Sequence, residues 1–200
     1  MLAETHADAS EHPTDLDSHV DTCVVGKNAL IIHILNKKVN VTGFDPSLGK
    51  VKDLDLVSAA LAYDCPETGE TVILMIHQAV HVPTMINDLL CPVQMRTNDI
   101  GVQECPKFLE EHPDDTSHAL RIYQNGEDML IPLALRGVVS YFPTRKPTTA
   151  EFQTCRRVEL TSEEPEWDPS SVTFQEQEDA TVDAHGRVYD KGDGNKKSRR

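Results

Sequence analysis

Between Asp15 and about Pro143 the chain is cut into short apolar runs, many of them β-branched, with Gly, Pro, Asn and Asp at the breaks. The runs are DTCVVG, ALIIHIL, KVNVTG, LVSAALAY, TVILMIHQAVHV, ALRIY and LIPLALRGVVSYF. β-branched side chains fit a pleated, half-buried surface, while Gly and Pro interrupt it, so this rhythm predicts a small, mainly β domain. Three turn signals mark hairpins: Asp45-Pro46 through Gly49, Pro66-Glu67-Thr68-Gly69, and Asn125-Gly126. The last favours a type I′ turn, because Asn and Gly tolerate positive φ. MINDLLCPVQMRT has little β-branching and predicts a short helix, which Pro92 limits to a turn or two.

The flanks read differently. Residues 1–14 lack periodicity and predict a disordered linker; 15–105 form the core, 106–175 a β-rich extension with the only tryptophan, Trp167, in EPEWDPSS, and 176–200 a disordered charged tail. Two hundred residues, 38% apolar, supply one ordinary core. A net charge of −14 argues against direct nucleic-acid binding, since an acidic surface repels the phosphate backbone. No run approaches the roughly 20 apolar residues of a membrane-spanning helix, and the first sixteen residues carry no apolar signal segment, so no membrane association and a cytoplasmic setting are expected. Five widely spaced cysteines without a CxxC pair predict buried thiols rather than a disulfide framework or a zinc site. His19/Cys23 and His77/His81 are each four apart, but on strands that spacing is about 13 Å, too far for one ion. No metal or other cofactor is expected.

The chemistry concentrates in Asp15-Leu16-Asp17-Ser18-His19-Val20-Asp21-Thr22-Cys23-Val24-Val25. An acid followed by Ser, on a tight turn between apolar positions, is what a protease would need to present a carboxylate at the floor of a cleft. The stretch resembles the active-site turn of retropepsins, the aspartic proteases of retroviruses and retrotransposons. Downstream, Ala79-Val80-His81-Val82-Pro83 and then Asn87-Asp88-Leu89-Leu90-Cys91-Pro92-Val93-Gln94-Met95 resemble the copia-type members, whose apolar strand ends in Val-Pro before an Asn-Leu-Leu-Ser-Val-x-Gln-Leu segment. The similarity spans about residues 15–105, and the order of its parts is more telling than either motif.

The resemblance implies a small closed β-barrel with a flap hairpin and a short C-terminal helix, half of a dimeric enzyme. Asp17 is then the catalytic carboxylate and Ser18 the hydroxyl that braces its turn; on the residues alone, Asp17 reads equally as a turn Asp that hydrogen-bonds its own backbone. Asp21 matches the acid that binds substrate main chain, or is a solvated turn residue or an intersubunit ion-pair partner. Gly43 and Gly49 give freedom to the flap tip within KVNVTGFDPSLGKVK. Only one Asp-Ser turn of this kind is present, so a homodimer must bring two Asp17 carboxylates to one water, with the element's own polyprotein as substrate. Two sequence features depart from the family. His19 stands where it has Gly, close to the dyad and to substrate, and Cys91 stands where viral members have Gly and copia-type members Ser. The alternative is therefore a catalytically inactive retropepsin-like module used for dimerisation or peptide binding. Ser18-His19 is not read as a nucleophile pair, because adjacent side chains on an extended strand face opposite ways. An integrase or reverse-transcriptase fragment lacks a spaced acid triad or an HHCC pattern.

Overall fold

The computed structural model describes residues 11–43, 47 and 49–189. Of the expected disordered ends, 1–14 and 176–200, residues 1–10 and 190–200 lie outside the described residues, as do the turn residues Asp45 and Pro46. In chain order the elements are β1 (His12–Leu16), β2 (Val24–Val25), β3 (Leu30–Thr42), β4 (Lys50–Asp64), β5 (Thr71–His81), β6 (Asp88–Leu90), α1 (Pro92–Arg96), β7 (Gly101–Gln103), β8 (Ala119–Gln124), β9 (Glu127–Pro132), β10 (Ala134–Arg136), β11 (Val139–Thr144), α2 (Thr149–Thr154), β12 (Arg156–Glu159) and α3 (Val172–Thr181).

The protein is mainly β, with mixed parallel and antiparallel pairing. The larger sheet runs β10-β11-β1-β6-β2-β5-β4-β3, with β12 pairing beside β5, and β7-β8-β9 form a second sheet. The hairpins follow the local turn chemistry. β3 and β4 pair antiparallel, as do β4 and β5 across Pro66–Gly69. Asn125 and Gly126 join β8 to β9 with φ of 57° and 82°, as a type I′ turn requires. ALIIHIL and KVNVTG, two runs in the sequence, join into the single long strand β3, whose register against β4 shifts three times. α1 is short as expected: Pro92 occupies its first turn and the Cys91 side chain caps it.

The expected closed barrel is not formed among the described residues. The order ends at β10 and at β3, and only a single bridge, Ala62 to Arg145, links β4 to the end of β11. Nor do residues 106–175 stand apart from 15–105. β11 pairs with β1, β12 pairs with β5, and Phe142, Leu120, Ile122, Ile131, Val158 and Leu160 are buried in the same apolar cluster as Leu61, Leu74, Ile76 and Leu90. Phe142 meets Tyr63 edge-on, ring centroids 6.1 Å apart. The physical reason is that β1 and β5 have edges and faces that the first 105 residues leave uncovered.

The last residues of the expected 1–14 linker are ordered instead: β1 begins at His12 and Thr14 is fully buried, bonded Oγ1 to Oγ1 with Thr144 at 2.7 Å. Pro13 obscured this strand in the sequence; it pairs with β11 ahead of the parallel ladder to β6, which opens at Thr14. One compact unit ends at Trp167. The second, described to residue 189, holds α3, capped by Ser171, and the Val182–Val188 bridge; α3 thus extends into the region expected to be a disordered tail. Among the described residues no helix is long and apolar enough to cross a membrane.

Candidate active site

β1 enters the sheet between β11 and β6, and its parallel ladder with β6 runs Thr14–Asp88, Asp15–Leu89, Leu16–Leu90. One more bond, from the Asp17 N–H to the Leu90 carbonyl at 3.1 Å, carries the pairing past the end of the strand. The chain then turns. The Asp17 Oδ1 accepts the His19 N–H at 2.8 Å, an Asx turn, and the Val20 N–H donates to the Asp17 carbonyl at 3.4 Å. This geometry leaves the Asp17 side chain 35% exposed, with the His19 Nδ1 3.6 Å from its Oδ1. Ser18, His19 and Asp21 are exposed.

α1 braces the far end of the turn. The Cys23 N–H donates to the Gln94 Oε1 at 2.8 Å, and the Cys91 N–H donates to the Cys23 Sγ at 3.2 Å. Burial pushes the Cys23 thiol up to about 12, so it stays a protonated packing group rather than a nucleophile. Cys91 is buried, and its Sγ receives the Gln94 N–H at 3.5 Å. Beyond the turn, the Gly26 N–H donates to the Asp88 Oδ1 at 2.7 Å, and a Cβ on Gly26 would stand 2.5 Å from the Met85 carbonyl oxygen, so only glycine fits.

Asp17, Ser18 and Asp21 therefore lie on one turn, as the sequence predicts. Gly43 and Gly49 belong to a different element, the ends of the β3–β4 connection, where Gly49 has a φ of +82°. Sequence reasoning missed four contributors. Asp15 is buried against Asn87 and the half-exposed Arg136, whose Nη2 lies 2.8 Å from its Oδ2. Asp88 is fully buried, and its Oδ2 has no hydrogen-bond partner among the described residues. Desolvation raises its pKa to about 6. Trp167 reaches the turn from outside the motif, and Gln78 bonds the Trp167 N–H; their one sequence signal was a lone tryptophan in an aromatic-poor chain. No group of three or more metal-ligating side chains occurs among the described residues. No family model, curated protein or solved structure matches the chain.

Proposed function

We propose that this chain is a retropepsin-like aspartic endopeptidase of a copia-type retrotransposon, active as a homodimer on its own polyprotein within a cytoplasmic particle. One observation carries the reading: the two motifs behind the resemblance, some seventy residues apart, meet as one unit. Asp17 bonds Leu90, Cys23 bonds Gln94, and Cys91 bonds Cys23. The order of acid turn, long β3–β4 hairpin, strand β5 followed by Val82-Pro83, and Leu-Leu segment before a short helix supports it further.

The chemistry follows from two facing carboxylates. Two Asp17 side chains around one water share a single proton, because both cannot ionise at that distance. The ionised one takes a proton from the water as it attacks the scissile carbonyl, and the protonated one donates to the carbonyl oxygen. Ser18 steadies the turn, Asp21 binds substrate main chain, and the β3–β4 hairpin, with Gly43 and Gly49 at its end, covers an extended peptide.

The test incubates the full chain near pH 5 and follows self-cleavage and cleavage of a peptide library by mass spectrometry. Cleavage by the wild type that rises with dimer concentration and is lost in Asp17→Asn is the expected result. A folded, dimeric wild type that cuts neither would sink the enzyme. The inactive-module reading is favoured by the His19 imidazole beside the Asp17 carboxylate, where it competes with the attacking water. Under that reading His19→Gly restores cleavage to an inert parent.

A further inference from the structure

We propose that Trp167 is a positioning residue for the substrate-binding turn, carried there by a strap, residues 160–167, that β5 holds in place. The proposal rests on the endopeptidase reading and assigns the extension a part in that site.

The strap begins where β12 leaves its parallel ladder with β5. The Leu160 N–H donates to the Met75 carbonyl at 2.8 Å. The Thr161 hydroxyl then bonds the His77 backbone in both directions, accepting its N–H at 2.7 Å and donating to its carbonyl at 2.8 Å. Next, β5 bulges. Val57 pairs with Ala79 and Ala59 with Ile76, so His77 and Gln78 together oppose Ser58. Gln78 adopts a φ of 55°, a left-handed conformation that a glutamine rarely takes, and a bulge of this kind re-aims a side chain.

Here it sends the Gln78 amide into the strap. The Nε2 donates to the carbonyls of Ser162, Glu163 and Pro165 at 3.0–3.1 Å, and the Oε1 accepts the Trp167 N–H at 2.6 Å. One strained residue thus fixes four points of an otherwise irregular segment.

At the strap's end the Trp167 indole Nε1–H is shared between the Asp21 carbonyl, at 3.0 Å, and the Thr22 Oγ1, at 3.2 Å. The first is the carbonyl of the Asp21–Thr22 peptide and the second the side-chain hydroxyl of Thr22. Glu166 pairs with Lys37 of β3, so the same strap reaches an arm of the hairpin. Fixing the Asp21–Thr22 peptide sets where the Asp21 carboxylate meets substrate main chain. Loss of the indole N–H then weakens binding of substrate and transition state alike and raises KM rather than lowering kcat.

The experiment compares the full-length wild type with Trp167→Phe, which keeps a ring but no donor, and with Gln78→Ala, which frees the strap. Three readings are taken: thermal melting, amide exchange at residues 21–23, and kcat and KM on a library peptide that the wild type cleaves. The sole tryptophan adds a fourth, since its emission in an Asp17→Asn background reports peptide binding without turnover. In folded Trp167→Phe we expect faster exchange at 21–23 and a KM raised roughly three- to tenfold, the worth of one hydrogen bond, with kcat unchanged. Gln78→Ala shifts both in the same direction, and peptide changes the Trp167 emission of Asp17→Asn. A wild type that cleaves while folded Trp167→Phe matches it in KM overturns this proposal alone, even if exchange changes. A chain that neither cleaves nor binds any library peptide overturns both this and the endopeptidase reading.

Discussion

Four aspartates on β1, on β6 and in the turn between β1 and β2 fall into two pairs. Asp15 and Asp88 are buried, and their carboxylates hold Asn87, Arg136 and the Gly26 amide. Asp17 is one-third exposed and Asp21 exposed, and the Asp17 carboxylate is engaged by its own turn at His19. Asp15 and Asp17 are only two residues apart. What separates them is where β1 ends: the ladder to β6 encloses Asp15, and its last bond falls at the Asp17 amide, so the side chain emerges with a surface still to offer. The same residue type is buried and structural on one side of that point and partly exposed on the other.

Making the same change, Asp to Asn, in each pair is the sharpest way to break this comparison. Asp17→Asn keeps an oxygen for the His19 amide, so melting stays unchanged, while under the proposed endopeptidase function peptide cleavage falls by roughly a thousandfold or more, read by initial rates. An equal loss of stability would erase the distinction between the pairs.

Asp88→Asn shows the opposite profile. The folded-state pKa of Asp88 is raised by desolvation from 3.8 to about 6, so the folded protein holds a proton that the unfolded chain has released across that interval. Stability is therefore fullest below about pH 4 and falls as pH rises to 6, by at most about 3 kcal/mol. Urea unfolding at several pH values should show this slope in the wild type and not in Asp88→Asn. Asp88→Ala at pH 4 orphans the buried Gly26 amide and costs about 1–3 kcal/mol.

Glu151 gives a smaller effect of opposite sign. The Arg145 guanidinium and the Thr148 cap hold its carboxyl down to about 2. Its stabilisation is present above about pH 4.5 and is lost as pH falls towards 2, roughly 1–2 kcal/mol after solvent screening. Glu151→Gln should flatten that acid limb in the same titration. Smallest is Arg136→Met: Arg136 is half exposed, so removing it from Asp15 should lower stability by only about 1 kcal/mol in urea at pH 7.

Two of the three turns and the short helix were legible in local sequence. Asn125-Gly126 and Pro66–Gly69 became hairpin turns because positive φ and a fixed proline φ are properties of those residues themselves. α1 stayed short because Pro92 and the Cys91 cap define its start. The Asp17 turn forms through its own Asx hydrogen bond, which needs nothing beyond His19.

Other features were written in no single stretch. β1 was hidden by Pro13 and formed because β11, more than a hundred residues later, supplies its partner. Which strands pair, why no barrel closes among the described residues, and why Asp15 is buried while Asp17 is partly exposed depend on pairings between distant segments. Their cost is the ordering of the intervening chain, and their return comes only once a shared core exists. Trp167 is the plainest case. The sequence marked it as the one indole in the chain, but its contact with Asp21 exists only because a bulge in β5 turns Gln78 towards the strap. Local chemistry determined the turns, the cap and the acid's loop, whereas long-range packing decided which acids remain free to act.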